Sequence, residues 1–272
     1  MSQTKTTNNL HTKVDYPCER HIYSKINQKT IAKETNTIIE PGVDYKKDIK
    51  DIREGKAKYV ADAEKQQFEV NGRTYKIHDK AGKNGYYRSY PIEGNGIHKL
   101  NRGEFQAFKM YKTHSNDPQL LKKIISNQKK SYVKSSSQEQ NAAERSFEKA
   151  QKRGRNVLNI CQAKEKAIKL AKKGHSEMKI FNQLKGTELG KKDQAAVRKI
   201  AKNVYKDHQD KTQAQNPKKT VAKGVENTKK PHTPLKSSAG QENTKKPTPT
   251  KKPTPTKQPP PKQQSPQRGR GR

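Results

Sequence analysis

The chain has 272 residues, of which 61 are Lys or Arg and 26 are Asp or Glu, so its formal net charge is +35. Only 27% of the residues are hydrophobic, too few to offset the entropy of ordering the whole chain, which predicts a small folded part with long polar extensions. No apolar run is long enough for a transmembrane helix or a signal peptide, so we expect a cytoplasmic protein without membrane insertion.

The positive charge increases along the chain. The net charge is +8 over residues 1–115, +13 over 116–210 and +14 over 211–272. Lysine and arginine at this density repel one another and gain from an anionic partner, and each phosphate that they neutralise releases condensed counterions. The expected partner is therefore the phosphate backbone of a nucleic acid, and the alternative is a highly charged solvated chain without a partner.

Signals for metals and cofactors are weak. The two cysteines, Cys18 and Cys161, give neither a disulfide framework nor metal-site spacing, although the segment from Cys18 to His21 resembles half of a metal site. Gly94-x-Gly96 lacks the third glycine of a dinucleotide fingerprint. We therefore expect no metal and no cofactor.

The first part of the chain predicts a polar N-terminal arm over residues 1–44 and a small α+β domain over 45–126. Within that domain, the charged segment 46–65 favours a helix. Asn71-Gly72 supplies the two positive φ angles of a type I′ turn, which predicts a β-hairpin. Short antiparallel strands are expected at 68–70, 73–77, 86–92 and 97–100. Pro91 indicates an edge strand or a strand end.

Two helices should close this domain. Asn101 is the expected N-cap of the first, with Glu104 at the capping-box position. Pro118 is expected at the first position of the second helix. The predicted buried face of that second helix consists of Leu120, Leu121, Ile124 and Ile125.

The next segments predict a linker over 127–140 and a basic all-α region over 141–210. Its helices are expected at 142–152, 156–173, 176–184 and 193–205, and Gly154 should end the first of them. The predicted inner face of the second comprises Val157, Ile160, Cys161, Ala167, Ile168 and Ala171.

Residues 211–272 form a Lys/Pro/Thr-rich tail, which contains 11 of the 15 prolines. Such a composition predicts an extended, disordered segment. A Pro-rich tail is also typical of adaptors that dock on a protein partner by polyproline recognition.

The helical region has the sequence pattern of a helix-turn-helix unit, in which Gly174 ends one helix and Ser176 caps the next. The helix over 193–205 would then face DNA, which favours DNA over RNA as the partner. The cations expected to contact phosphates are Lys172, Lys173, Lys192, Arg198, Lys199 and Lys202. An ordinary helical hairpin with solvated lysines is the alternative interpretation.

Two resemblances bear on function. The run Leu170-x-x-x-Gly174-His175-Ser176, with Ile180 and Leu184, resembles a helical segment of plasmid-mobilisation and relaxase-associated proteins within residues 167–205. It implies an association with a plasmid or mobile element, without the catalytic part of a relaxase. The terminal Arg268-Gly269-Arg270-Gly271-Arg272 is similar to type IV secretion signals, which implies export, and equally to RNA-binding Arg-Gly ends.

The α+β domain also allows an enzymatic interpretation, as a metal-independent ribonuclease toxin or secreted effector. Cleavage of RNA through its 2′-hydroxyl needs only a general base and a cation beside the phosphate. The candidate residues are His98, Arg102, Lys112 and His114, with His78 in reserve. Each is also explicable as a solvated or helix-capping side chain, so the sequence favours a non-enzymatic nucleic-acid-binding protein.

Overall fold

The computed structural model describes residues 11–62 and 65–215 of the chain. An α+β region with short strands comes first, and helices follow, as the sequence predicts. The strands are β1 (Val14–Asp15), β2 (Thr35–Ile39), β3 (Lys58–Asp62), β4 (Lys65–Val70), β5 (Arg73–Ala81), β6 (Tyr87–Gly94) and β7 (Ile97–Asn101). The helices are α1 (Tyr45–Arg53), α2 (Arg102–His114), α3 (Pro118–Ser135), α4 (Gln140–Lys172), α5 (Glu177–Lys185), α6 (Glu188–Lys192) and α7 (Gln194–Gln215).

The main sheet has the strand order β1-β6-β5-β4-β3, and β2 and β7 form a separate antiparallel pair. The predicted hairpin joins β4 to β5, with φ angles of 50° at Asn71 and 71° at Gly72. Both residues have the positive φ that a type I′ turn requires, so this prediction is confirmed.

The strand that contains Pro91 is not at the edge of the sheet, which corrects the prediction. β6 lies between β1 and β5. Pro91 is opposite Tyr75, directly after a register shift between Thr74 and Tyr75, and on its other side β1 has only two residues. β1 pairs only with Tyr87 and Arg88, so at Pro91 the strand has a paired neighbour of the main sheet on the β5 side alone, and a proline is tolerated there as it is on an edge.

Residues 11–44 belong to the folded part, although the sequence suggests a polar arm. β1 pairs in parallel with β6, and β2 pairs with β7. Tyr23, Ile26 and Ile38 are all buried, with at most 6% of their surface exposed. Their partners lie far along the chain, so local periodicity gives no sign of this packing.

The helix expected over 46–65 is also shorter than predicted. α1 ends at Arg53, and Gly55 follows with a left-handed φ of 71°, after which the chain becomes strand β3. The buried carboxylate of Asp48 ties α1 to the hairpin, because it accepts two hydrogen bonds from Arg73 and one from the Tyr75 hydroxyl.

The predicted cap of α2 and the predicted first residue of α3 are present. The Asn101 side chain accepts from the Glu104 amide and the Glu104 side chain accepts from the Asn101 amide, which completes a capping box. Asp117 caps α3, with Pro118 as its first residue.

The predicted buried face of α3 is wrong, and α3 also replaces most of the expected linker. No described residue of α3 is buried, and Leu120 is 41% exposed. The helix continues through residues 127–135 and ends at Ser135. It contacts α2 and α4, and Leu121, Ile124 and Ile125 are partly covered there without being buried.

The sequence predicts that Gly154 ends a helix, and this prediction is wrong. Gly154 lies inside α4, which is continuous for 33 residues. A Cβ placed at Gly154 would clash with the Glu104 carbonyl oxygen. It would also lie 2.7 Å from the Phe108 amide nitrogen and 2.9 Å from the Ala107 Cβ. The glycine therefore permits a close crossing of α4 with α2.

Three apolar clusters hold these elements together. One lies between the β2–β7 pair, α2 and α4, and it includes Leu100, Phe105, Phe108 and Cys161. A second lies between α1 and the main sheet. The third joins α4, α5 and α7. Cys161 is fully buried, as the sequence predicts, whereas Ile160 and Ile168 on the same predicted inner face are only partly buried.

Candidate functional site

The turn between α4 and α5 has the structure that the sequence predicts. Gly174 has a φ of 76°, its amide donates to the Ala171 carbonyl, and the amide of His175 donates to the Leu170 carbonyl. This hydrogen-bond pair is the Schellman motif that ends a helix at a left-handed glycine. Ser176 then caps α5, since its hydroxyl accepts from the Lys179 amide at 3.4 Å.

α7 packs one face against this helical pair and leaves the other to solvent. Val197 and Ala201 are fully buried against Ile180 and Leu184 of α5. The helix is longer than predicted, since it reaches Gln215, and the short helix α6 precedes it.

The outward face of α7 is basic. Arg198, Lys202 and Lys206 recur every four residues and therefore lie along one side of the helix, with Lys199 beside them. All four side chains are exposed. We call these four residues the α7 basic face. Like charges four residues apart destabilise a helix by about 0.2–0.5 kcal/mol per pair.

The cations predicted to contact phosphates are all exposed where the structure describes them. Lys172 and Lys173 lie at the end of α4, and Lys192 is the last residue of α6. In residues 11–62 and 65–215, none of Lys172, Lys173, Lys192, Arg198, Lys199 and Lys202 has an acidic ion-pair partner. Arg268, Arg270 and Arg272 lie outside the described residues.

Phe181 brings a further cation to this surface. The Lys185 ammonium lies 4.8 Å from the centre of the Phe181 ring, and the Arg198 guanidinium lies 5.1 Å from it. Cations at such distances over an aromatic ring are held by its quadrupole. Lys185 is not among the cations predicted from the sequence, although its spacing of four residues from Phe181 was a readable signal. The approach of Arg198 to the same ring depends on helix packing.

The predicted ribonuclease residues do not form one site. The Lys112 ammonium donates to the carbonyl oxygens of Tyr23 and Ile26, both at 2.6 Å, so it supports a loop. Arg102 is exposed and 3.5 Å from Glu34, and it lines with His114 an open groove of about 1230 Å³ between α2, α3 and α4. His78 is exposed on β5.

His98 has partners that the sequence did not indicate. Its Nε2 lies 2.6 Å from Oε1 of Glu40, and the Lys164 ammonium is paired with the other oxygen of the same carboxylate. Glu40 follows β2, His98 lies on β7 and Lys164 lies on α4. We call these three residues the Glu40 cluster.

The carboxylate of the Glu40 cluster is ionised. Burial by itself raises the pKa of Glu40, but the hydrogen bonds from His98 and Lys164 and the positive charge of Lys164 outweigh it, so the pKa lies below its usual value. The neighbouring Cys161 thiol stays protonated, because burial and the Glu40 charge raise its pKa. The cluster therefore presents one negative and one positive charge beside an imidazole.

His21 is a second histidine that the fold encloses. Its Nδ1 lies 2.8 Å from the Thr37 hydroxyl oxygen, while its Nε2 is buried without a hydrogen-bond partner in the described residues. Burial lowers its pKa from 6.5 to about 4, so the ring is neutral near pH 7. Within the described parts of the chain, no three His, Cys, Asp or Glu side chains are grouped to hold a metal ion.

Comparison with protein-family models, with curated proteins and with solved structures gives no match. None of the helices in the described ranges combines the length and the apolar character that crossing a membrane requires.

Proposed function

We propose that this chain binds nucleic acid by electrostatic contact between the phosphate backbone and its basic helical region. The observation that carries this proposal is the α7 basic face, whose exposed cations have no acidic partner among the described residues. Phosphate contacts do not depend on the base, so this surface fits many sequences. DNA is favoured over RNA because α7 follows a helical pair with the pattern of a helix-turn-helix unit.

The packed helices α4, α5 and α7 give the binding surface a fixed orientation. Apolar contacts of α7 with α4 and α5 hold the helix, and Phe181 orients Arg198. Arginine and lysine on a rigid helix lose less conformational entropy on binding than they would on a flexible segment. Lys172, Lys173 and Lys192 at neighbouring helix ends extend the same contact.

Salt dependence provides the test, on the full chain with fluorescent duplex DNA. Duplex binding that involves six phosphate contacts falls with log salt at a slope of about −5. Replacing Arg198, Lys199 and Lys202 together by Gln should reduce that slope by about 3 units. A competition experiment with single-stranded RNA then tests the preference for DNA.

A matched control removes the same charge elsewhere. Lys122, Lys123 and Lys130 are exposed on α3, and changing all three to Gln should leave the slope nearly unchanged. If both triple variants lose equal affinity, the contact is not on α7. If the binding constant of the wild type is insensitive to salt, the proposed function is wrong.

A further inference from the structure

The Glu40 cluster has the arrangement of a general base held by a carboxylate. Glu40 is only 6% exposed, and its two oxygens each accept from a different side chain. The carboxylate therefore fixes both His98 and Lys164 at the junction between the β2–β7 pair and α4.

Proton positions follow from the ionised state of Glu40. A carboxylate only accepts hydrogen bonds, so the Nε2 of His98 must carry the proton that lies between them. In the neutral ring, Nδ1 then keeps a lone pair. In the described residues Nδ1 has no hydrogen-bond partner, and the His98 side chain is 16% exposed, so this lone pair is accessible from solvent.

Lys164 places a positive charge beside this base. Its ammonium has three donors, of which Glu40 takes one, and its side chain is 27% exposed. A base and a cation that share one buried anchor are the two groups that RNA cleavage through the 2′-hydroxyl requires.

Stability alone does not account for a charged cluster at the edge of an apolar core. When a buried ion pair is replaced by apolar residues of similar volume, the free energy of unfolding often does not decrease. The neighbouring cluster of Ile38, Leu100 and Cys161 shows that apolar packing is available here. Ionisable groups held in such a place are candidates for a functional site.

We propose that the Glu40 cluster cleaves RNA, an activity beyond the nucleic-acid binding proposed above. The Nδ1 of His98 takes the proton of a 2′-hydroxyl, and the 2′ oxygen forms a bond to the adjacent phosphorus. The bond from phosphorus to the 5′ oxygen breaks, and that oxygen takes a proton from water. The products are a 2′,3′-cyclic phosphate and a 5′-hydroxyl end.

The other two residues support this step. The Lys164 ammonium stabilises the negative charge that develops on the phosphoryl oxygens. Glu40 is a positioning residue, because it orients the ring of His98 and stabilises the imidazolium that forms. His98 returns its proton to water before the next cycle.

The experiment uses the full chain and a fluorescent single-stranded RNA of mixed sequence, with cleavage and binding measured separately. We expect the wild type to leave 2′,3′-cyclic phosphate ends and His98→Gln to cleave at least about 100-fold more slowly, with unchanged binding. His78→Gln, a change at an exposed histidine that has no carboxylate partner within residues 11–62 and 65–215, is the control and should cleave like the wild type. The same oligonucleotide made of DNA should remain intact.

Two further variants separate chemistry from folding. Lys164→Arg, which keeps the positive charge, should retain more activity than Lys164→Gln. Glu40→Gln should lower kcat with little change in KM, because Glu40 orients the ring of His98 and does not itself contact the substrate. A purely structural role for Glu40 would lower the amount of folded protein and leave kcat per folded molecule unchanged.

The outcomes distinguish the two proposals. If folded wild-type protein binds RNA and leaves it intact between pH 5 and 8, the cleavage site is wrong while the binding proposal stands. Equal cleavage by the wild type and by His98→Gln would also overturn the assignment. If cleavage depends on His98 but duplex binding does not depend on salt, the binding proposal fails and the cleavage site stands.

Discussion

Replacing Gly154 by Ala tests the interpretation that this glycine permits the close crossing of α2 and α4. The added methyl group would contact the backbone of α2 at the Glu104 carbonyl and would lie 2.7 Å from the Phe108 amide nitrogen. Neither atom is the end of a flexible side chain, so the two helices must separate.

The expected magnitude is the difference of two opposing effects. Ala is more favourable than Gly inside a helix by about 1 kcal/mol. Overpacking of a well-packed interior costs about 1–3 kcal/mol, and contact with backbone places this case at the upper end. We therefore expect a net destabilisation of about 2 kcal/mol and a decrease in Tm of roughly 4–8 °C.

Thermal unfolding followed by circular dichroism measures this effect. The matched control is Gly186→Ala, because Gly186 has a helical φ of −75° at the end of α5 and open space around it. The control should be as stable as the wild type or slightly more stable. If Gly154→Ala has an unchanged or higher Tm, the close-crossing interpretation is wrong.

Two further predictions concern buried polar groups. Asp48→Asn should lower the free energy of unfolding by about 3–5 kcal/mol in urea, because it leaves Arg73, whose side chain is only 13% exposed, without its charge partner. Glu69→Gln at the exposed pair with Lys58 is its control, and an equal loss in both variants would contradict the reasoning. For His21, the unfolded state takes up a proton as the pH falls below 6.5 while the folded state does so only near pH 4. The contribution of His21 to the free energy of unfolding is therefore constant above pH 6.5. Between pH 6.5 and 4, proton uptake by the unfolded state lowers the free energy of unfolding by about 3 kcal/mol. The unfolding free energy of His21→Gln should decline less over that range, and an identical decline would show that His21 has no part in it.

Local signals in the sequence predicted local structure well. Asn71-Gly72, the Asn101–Glu104 box, Asp117-Pro118 and the Gly174–Ser176 turn each depend on backbone geometry within a few residues. Each is present in the structure as the sequence predicts. Arg198, Lys199 and Lys202 of the α7 basic face were predictable for the same reason, since the helical period alone places them together, whereas Lys206 lies beyond the predicted end of that helix.

Features that depend on distant partners were not predictable. Lys164 and Glu40 are 124 residues apart, so nothing in the sequence near His98 indicated either partner. Gly154 has the local pattern of a helix stop, and only the approach of α2 shows why it lies within a continuous helix. Pro91 and residues 11–44 were misassigned for the same reason, because strand pairing across the chain decides their place.

The sequence by itself determined the turns, the caps and the excess of positive charge, because these depend on residue type and short spacing. Only the tertiary structure decided which ionisable side chains meet and which remain exposed. Burial and pairing of charges are properties of the folded molecule, since they arise when elements far apart in the chain are brought into contact.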